Sequence, residues 1–219
     1  MINIGRENLH SFGNETMKFS ATNLQKKFGR RLVFSAVSFS LEKGDALSIA
    51  GKNGSGKSTL AKICAGVLSP NNGTIDFFLN ETLLPFERRF QYIGFVAPYL
   101  QLYDEFTPSE HIEFLRRVRN QILHSSDTDS LLERVKLLSR KNDFVRTFSS
   151  GMKQRLKYAL ALLHSPSLLI LDEPTSNLDE EGRIVVFEII REQRERGMII
   201  VATNEQPEVE LCNKHIQLQ

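Results

Sequence analysis

Hydrophobic and polar residues alternate along this chain in several distinct rhythms. Residues 1–16 are polar and aperiodic, with His10, Ser11, Gly13 and Asn14. They read as a disordered leader, and Met17 is a candidate start. Met17-Lys18-Phe19-Ser20-Ala21 is strand-like, and Phe28-Gly29-Arg30-Arg31 reads as a turn. Val37, Phe39 and Leu41 then alternate with Ser38, Ser40 and Glu42, the period of a half-buried strand. Asp45 to Ala50 is a further strand with Leu47 and Ile49 on one face. The first fifty residues therefore read mainly as antiparallel β. Leu60 to Leu68 reads as a helix, Ser69 to Gly73 as a turn and Thr74 to Phe78 as a strand.

Tyr92 to Val96 is a short apolar run of the kind buried in parallel sheets. Thr107-Pro108-Ser109-Glu110 then combines a capping box with proline at the first helical position. Ile112, Leu115, Val118 and Ile122 follow at helical spacing. Ser125 to Asp129 reads as a break, and Leu131, Leu132, Val135 and Leu138 as a second helix. Leu168 to Leu171 is another buried strand. Ile184, Phe187 and Ile190 mark one face of a helix whose polar end, Arg191 to Arg196, is closed by Gly197. Met198 to Ala202 is a core strand, and His215 to Leu218 a last one. The pattern predicts one α/β domain over residues 17–219, carrying a helical subdomain at about 85–160.

Composition narrows the possibilities. A length of 219 residues with 41% hydrophobic content suits a single domain with a sizeable core. A net charge of +2 is too mild to argue for nucleic acid or an anionic membrane surface. No apolar run reaches the length of a membrane span; the run at Ala159 to Leu163 is a fraction of one. Residues 1–7 lack the apolar core of a signal peptide. Cys64 and Cys212 are too few and too distant for a disulfide framework or zinc site. The expectation is a soluble, cytoplasmic protein.

The strongest chemical signal is Gly51-Lys52-Asn53-Gly54-Ser55-Gly56-Lys57-Ser58-Thr59, which fits G-x-x-x-x-G-K-[ST]. A strand precedes it and a helix follows it, the context in which backbone amides cradle phosphates at a helix N-terminus. Contacts to a nucleotide are expected from Gly51, Asn53, Gly54, Ser55, Gly56, Lys57, Ser58 and Thr59. Lys57 can reach the outer phosphates, and the Ser58 hydroxyl is placed to ligate Mg²⁺.

A second signal is Leu168-Leu169-Ile170-Leu171-Asp172-Glu173-Pro174. Two carboxylates stand at the C-terminal end of a buried strand, where ligands sit in open α/β sheets. Asp172 is placed to hold Mg²⁺, and Glu173 to orient and deprotonate an attacking water. A third, weaker signal is Phe148-Ser149-Ser150-Gly151-Met152-Lys153-Gln154-Arg155, a small-residue turn that opens a helix. On its own, such a turn is equally a plain N-cap.

In this order the motifs resemble those of the ATP-binding subunit of ABC (ATP-binding cassette) transporters, over nearly all of residues 17–218. The resemblance implies a fold: a P-loop NTPase core with a mainly parallel sheet, an N-terminal antiparallel β subdomain and an inserted helical subdomain. Gly51–Ser58 is the Walker A motif and Leu168–Asp172 the Walker B, with Glu173 the catalytic carboxylate. Phe148–Met152 corresponds to the family's L-S-G-G-Q signature, and Ser176-Asn177-Leu178-Asp179 to its D-loop. Phe28 falls where the family stacks an aromatic on adenine.

The resemblance implies ATP and Mg²⁺ as cofactors. It also implies head-to-tail closure of two cassettes, as a homodimer or pseudo-dimer. Ser149 and Gly151 of one would then contact the ATP of the other. The partner would be a transmembrane permease subunit on a separate chain, docked on the helical insertion. Nucleic acid is not expected, and the place would be the cytoplasmic face of the inner or plasma membrane. Small exporter cassettes, including the haem-exporter type, are similar in length.

Two positions depart from the family. Its Gln after the strand at Tyr92–Val96 is Pro98 here, and Gln101 is the next available amide. Its switch His is Asn204, which can donate a hydrogen bond to phosphate but carries no charge. A working ATPase is the first reading, with Glu173, Lys57 and Asn204 in the catalytic roles. A slow, regulatory ATP-binding cassette is the second. A non-transport ABC ATPase is the third, disfavoured by a single cassette and no sustained heptads. His111, His124 and His164 lack ligand-spaced partners. Cys64 suits core packing, and Arg116, Arg117 and Arg119 suit a solvated face.

Overall fold

The computed structural model describes residues 16–119 and 125–219. The expected leader lies outside the described residues except for Thr16, which exchanges hydrogen bonds with Asn80. Ile122 and His124 also lie outside them.

Two sheets organise the chain. β1 (Met17–Phe28) and β2 (Arg31–Glu42) form a long antiparallel hairpin. β4 (Asn72–Leu79) and the short β5 (Thr82–Leu83) complete an antiparallel sheet in the order β2-β1-β4-β5. β3 (Ala46–Gly51) leaves this sheet and joins a second, wholly parallel one. There it lies between β8 (Met198–Ala202) and β9 (Lys214–Leu218), with β7 (Leu168–Asp172) and β6 (Ile93–Val96) beyond β8. This is the predicted α/β class, with β4 adding a later strand to the N-terminal sheet.

The parallel strands are apolar on both faces because both faces are covered. Leu168, Ile170, Met198, Ile200, Leu47 and Ile49 point to one core with α1 (Lys57–Cys64) and the antiparallel sheet. Leu169, Leu171, Ile199 and Val201 point to a second core with the remaining helices. Strand period two thus serves two cores at once.

After α2 (Phe86–Arg89) and β6 come α3 (Pro108–Val118), α4 (Ser125–Arg134) and two 3-10 turns at Leu138–Arg140 and Val145–Thr147. The capping box forms as expected: Thr107 N donates to Glu110 Oε2 at 2.7 Å, and Glu110 N to Thr107 Oγ1 at 3.2 Å. α5 (Ser150–Leu162), α6 (Glu180–Arg196) and α7 (Gln206–Glu210) follow.

Several expectations need correction. Within 85–160, β6 is a member of the parallel sheet, and α5 packs beneath it. Ser125 to Asp129 does not break a helix but begins α4, since Ser, Asp and Thr are favoured in first turns. The helix after the phosphate loop stops at Cys64, and Gly66 at φ 74° belongs to the turn that follows. On α6 the buried face is Val185, Val186, Ile189 and Ile190, while Ile184 is 50% exposed. Val118 is 66% exposed, so the inward face of α3 ends at Leu115, which packs partly buried against the core.

Candidate functional site

The phosphate loop lies between β3 and α1 and owes its path to two glycines. Gly51 has φ 152°, and a Cβ there would stand 2.5 Å from Leu218 O and from Ser55 Oγ. Gly56 caps α1 at φ 103°, where a Cβ would meet Val33 Cγ1 at 2.5 Å. Strand β2 therefore lies directly over the loop. Lys57 is buried, and its Nζ donates to Gly51 O at 2.8 Å and Lys52 O at 3.3 Å. The ammonium is curled within the loop that would receive phosphates. Ser55 Oγ is buried with no hydrogen-bond partner. Gly54 has open space on the side where a Cβ would project. Thr59 is half-buried in the first turn of α1.

Ser58 and Asp172 are brought together across 114 residues. Ser58 Oγ donates to Asp172 Oδ1 at 2.9 Å. Asp172 is almost fully buried, and its Oδ2 has no partner. Burial pushes its carboxyl above the usual carboxylate range, opposed by the Ser58 hydrogen bond and the nearby Tyr99 hydroxyl and aided by the Glu173 charge. A buried carboxylate with a free oxygen beside a hydroxyl suits a hard divalent cation, which takes oxygen ligands. Ser58 and Asp172 could hold Mg²⁺ here. Among the described residues, no group of three or more His, Cys, Asp or Glu is placed to hold a metal.

Glu173 follows immediately, exposed, at φ 47°. Its backbone N donates to Ala202 O at 2.8 Å, which ties the ends of β7 and β8. A left-handed conformation at a non-glycine residue costs energy, and such residues cluster at functional sites. Asn204, just past β8, donates from Nδ2 to Asn53 Oδ1 of the phosphate loop at 2.8 Å. Five of the expected residues thus converge on one edge: side-chain bonds pair Asn204 with Asn53 and Ser58 with Asp172, and Lys57 bonds the loop's carbonyls.

Others stand apart. Phe28 lies at the β1–β2 hairpin end, 53% exposed, with Lys26 Nζ 5.2 Å from its ring centroid. Ser149 caps α5 by accepting from Met152 N at 3.2 Å. Gly151 faces the D-loop, where a Cβ would come within 3.1 Å of Asn177 O. Asp179 caps α6 by accepting from Gly182 N at 2.9 Å. Among the described residues, no hydrogen bond joins Ser149, Gly151 or Asp179 to the phosphate loop. Gln101 is exposed and lines a cleft with Pro98, Lys153 and Lys157, away from Asp172.

The residue that motif reading missed is Tyr99, whose hydroxyl adjoins Asp172. Its signal was present: a half-buried apolar ring with one polar tip, directly after the aberrant proline. Glu208 was missed as well. It is buried on α7, accepts from Thr175 Oγ1 at 2.6 Å and Thr175 N at 3.2 Å, and ties the switch region to the segment after Asp172. Its partner lies 33 residues away, so no local pattern announced it. His111 is also buried rather than on the surface, accepting from Tyr103 N at 3.0 Å.

The sequence model of the ABC transporter family matches residues 34–176. The chain belongs to the ABC transporter family, as an ATP-binding cassette with the ATPase fold and motifs. Among its relatives is the uncharacterized ABC transporter ATP-binding protein YdbJ of Bacillus subtilis, 36% identical over 90% of this chain and 64% of that protein. Another is the linearmycin resistance ATP-binding protein LnrL of Bacillus subtilis, 33% identical over 89% of this chain and 64% of that protein. The chain thus spans somewhat under two thirds of both relatives' length. A solved ATP-binding subunit of an ABC transporter superposes with TM-score 0.80 at 27% identity, covering 92% of this chain and 85% of that one.

Proposed function

We propose that this chain binds and hydrolyses ATP to drive a separate transmembrane permease subunit, through closure of two cassettes around nucleotide. The observation that carries the reading is the bond between Ser58 and Asp172, which unites the helix after the phosphate loop with the β7 end beside a free carboxylate oxygen.

In this reading the loop amides and Lys57 neutralise the β- and γ-phosphates, at the N-terminus of α1 where the helix dipole adds to the attraction. Bound Mg²⁺ supplies charge neutralisation of the phosphate oxygens. Ser58 and Asp172 would hold it, and a cation there would offset the burial of the Asp172 carboxylate. Glu173 accepts a proton from the attacking water, whose oxygen bonds to the γ-phosphorus as the bond to the β,γ-bridging oxygen breaks and ADP leaves with that oxygen and its electron pair. Asn204 leaves Asn53 and donates to a γ-phosphate oxygen. Phe28 offers its exposed ring to the adenine, and Lys26 sits beside that face.

Ser149, Gly151 and Asp179 act in trans. They are unattached to the phosphate loop of their own chain, and Ser149 and the amides at the start of α5 form an exposed anion-attracting turn. A second cassette would bring them to the γ-phosphate, and loss of that group would release the pair. The helical arm, α3 and α4, would carry the permease contact at the cytoplasmic face of the membrane. No helix among the described residues is long and apolar enough to cross a membrane, so the pathway belongs to another segment or chain. Export is the favoured direction, because one relative is named for resistance to linearmycin, a phenotype that efflux produces.

The slower, regulatory reading keeps one supporting observation: an uncharged Asn204 already bonded to Asn53. The working-ATPase reading is tested by Glu173→Gln. Phosphate release should fall by about three orders of magnitude while ATP affinity holds, because base and water positioning are lost together. Turnover at the wild-type rate would refute it.

A further inference from the structure

The loop between β6 and α3 presents a side chain that no motif predicts. Ala97-Pro98-Tyr99-Leu100 forms a turn closed by Leu100 N donating to Ala97 O at 3.2 Å. Proline occupies its second position, where a fixed φ suits a tight turn. Lys157 of α5 clasps the same turn from outside, its Nζ donating to Pro98 O at 2.7 Å and Ala97 O at 3.3 Å. The Tyr99 ring lies 6.4 Å from the Phe95 ring, centroid to centroid, and Lys62 Nζ of α1 stands 4.0 Å over it. Two elements therefore contact this ring and a third holds its turn, and the residue is still 44% exposed. Its hydroxyl end adjoins the Asp172 carboxylate, whose Oδ1 is bonded to Ser58 and whose Oδ2 is buried and unpartnered.

We propose that Tyr99 is the positioning residue of the metal site in this cassette, its phenol hydroxyl hydrogen-bonding the water shell of a divalent cation held by Ser58 and Asp172. The proposal rests on the reading of those two residues as metal ligands. Pro98 is then more than the loss of an amide: it sets the turn that delivers the next side chain to Asp172. A phenol can donate and accept, which is what a bridge between a carboxylate and a coordinated water requires. Gln101 lines a cleft with Pro98, Lys153 and Lys157 whose lining does not include Asp172. Lys157 lies on the helix that begins at the signature turn, so the turn bearing Tyr99 is tied to the surface that a second cassette would contact.

The test compares wild type, Tyr99→Phe, Tyr99→Gln and Asp172→Asn by binding of a fluorescent ATP analogue to the whole chain, titrated with Mg²⁺ from a chelated start. Tyr99→Phe should bind the analogue normally without metal but need about tenfold more Mg²⁺ for half of the metal-dependent gain, the usual scale for loss of an outer-shell partner. Tyr99→Gln, with a donor and an acceptor restored, should recover most of that gain. A second readout is independent of binding. The chain has four tyrosines and no tryptophan, so tyrosine emission should change when Mg²⁺ is added to the nucleotide-bound wild type and not to Tyr99→Phe. Wild-type Mg²⁺ dependence in Tyr99→Phe, with that dependence lost in Asp172→Asn, would overturn the role of Tyr99 alone. Dependence retained in both variants would overturn the metal site itself, and the proposal with it.

Discussion

Two turns in this molecule begin helices with small residues, and they are finished to different degrees. At the phosphate loop, Lys57 is buried against the loop's own carbonyls, Ser58 is bonded to Asp172, and Asn204 reaches across to Asn53. At the signature turn, Ser149 accepts only from amides of its own helix, Met152 N at its hydroxyl and Lys153 N at its carbonyl, and Ser149 and Ser150 are exposed. The first is assembled by three segments of one chain. The second is a self-capped helix end with its remaining amides facing outward. The difference teaches what each turn holds within one chain: the phosphate loop has partners from two other segments, and the signature turn is held only by its own helix, which is why the proposed closure assigns it to a second cassette.

The largest expected effect separates the two turns. Lys57→Ala should lower ATP affinity of the isolated chain by about 100-fold, since a charge-assisted bond to phosphate is lost at a partly desolvated site. Calorimetric titration measures it. Ser149→Ala should leave that affinity within about twofold and cost about 1 kcal/mol of stability through the lost cap. Its turnover should still fall at least tenfold, because a γ-phosphate contact in trans is removed. Equal losses of monomer affinity in both variants would erase the distinction.

A smaller effect sharpens the phosphate-loop side. Asn204→His should raise turnover several-fold with little change in affinity, because a chargeable donor replaces an amide at the γ-phosphate. Steady-state phosphate release measures this, and an unchanged rate means that the amide is not limiting.

The smallest effect concerns the far end of the signature helix. His164, just past α5, has Nε2 3.1 Å from Ile93 O of β6. Burial, with the Arg119 charge adding, lowers its pKa to about 4 from 6.5. The folded chain therefore binds fewer protons than the unfolded one between those values. This contribution to stability is present above pH 6.5 and is lost as pH falls toward 4. The advantage of wild type over His164→Gln in urea unfolding should shrink by about 2–3 kcal/mol from pH 7 to pH 4. Taking the difference cancels the opposite slopes of Asp172 and Glu208, whose carboxyls are raised by burial. A flat difference would mean that α5 is not anchored at this end.

Much of the fold was legible because strand and helix periods act locally. The apolar runs at Leu168–Leu171 and Met198–Ala202 could only be strands buried on both faces, and they are. The capping box at Thr107–Glu110 is written in four consecutive residues. The helical arm was read less well. Ser125 to Asp129 looks like a breaker in sequence, yet its residues also suit a first turn. The buried face of α6 was misphased because Ile184 is apolar and exposed, and only packing decides which apolar residues of a β-branched-rich helix turn inward.

By itself the sequence determined the phosphate loop, the carboxylates at the end of β7 and their order, since close backbone approach to phosphate demands glycine at fixed spacing and a buried strand demands unbroken apolar residues. The tertiary structure alone decided what meets what across the chain. It bonded Ser58 to Asp172, Asn204 to Asn53 and Glu208 to Thr175. It also placed Pro98 in a turn that carries Tyr99 beside Asp172. Those contacts depend on strand order and on which helix covers which face, and no run of neighbouring residues encodes either.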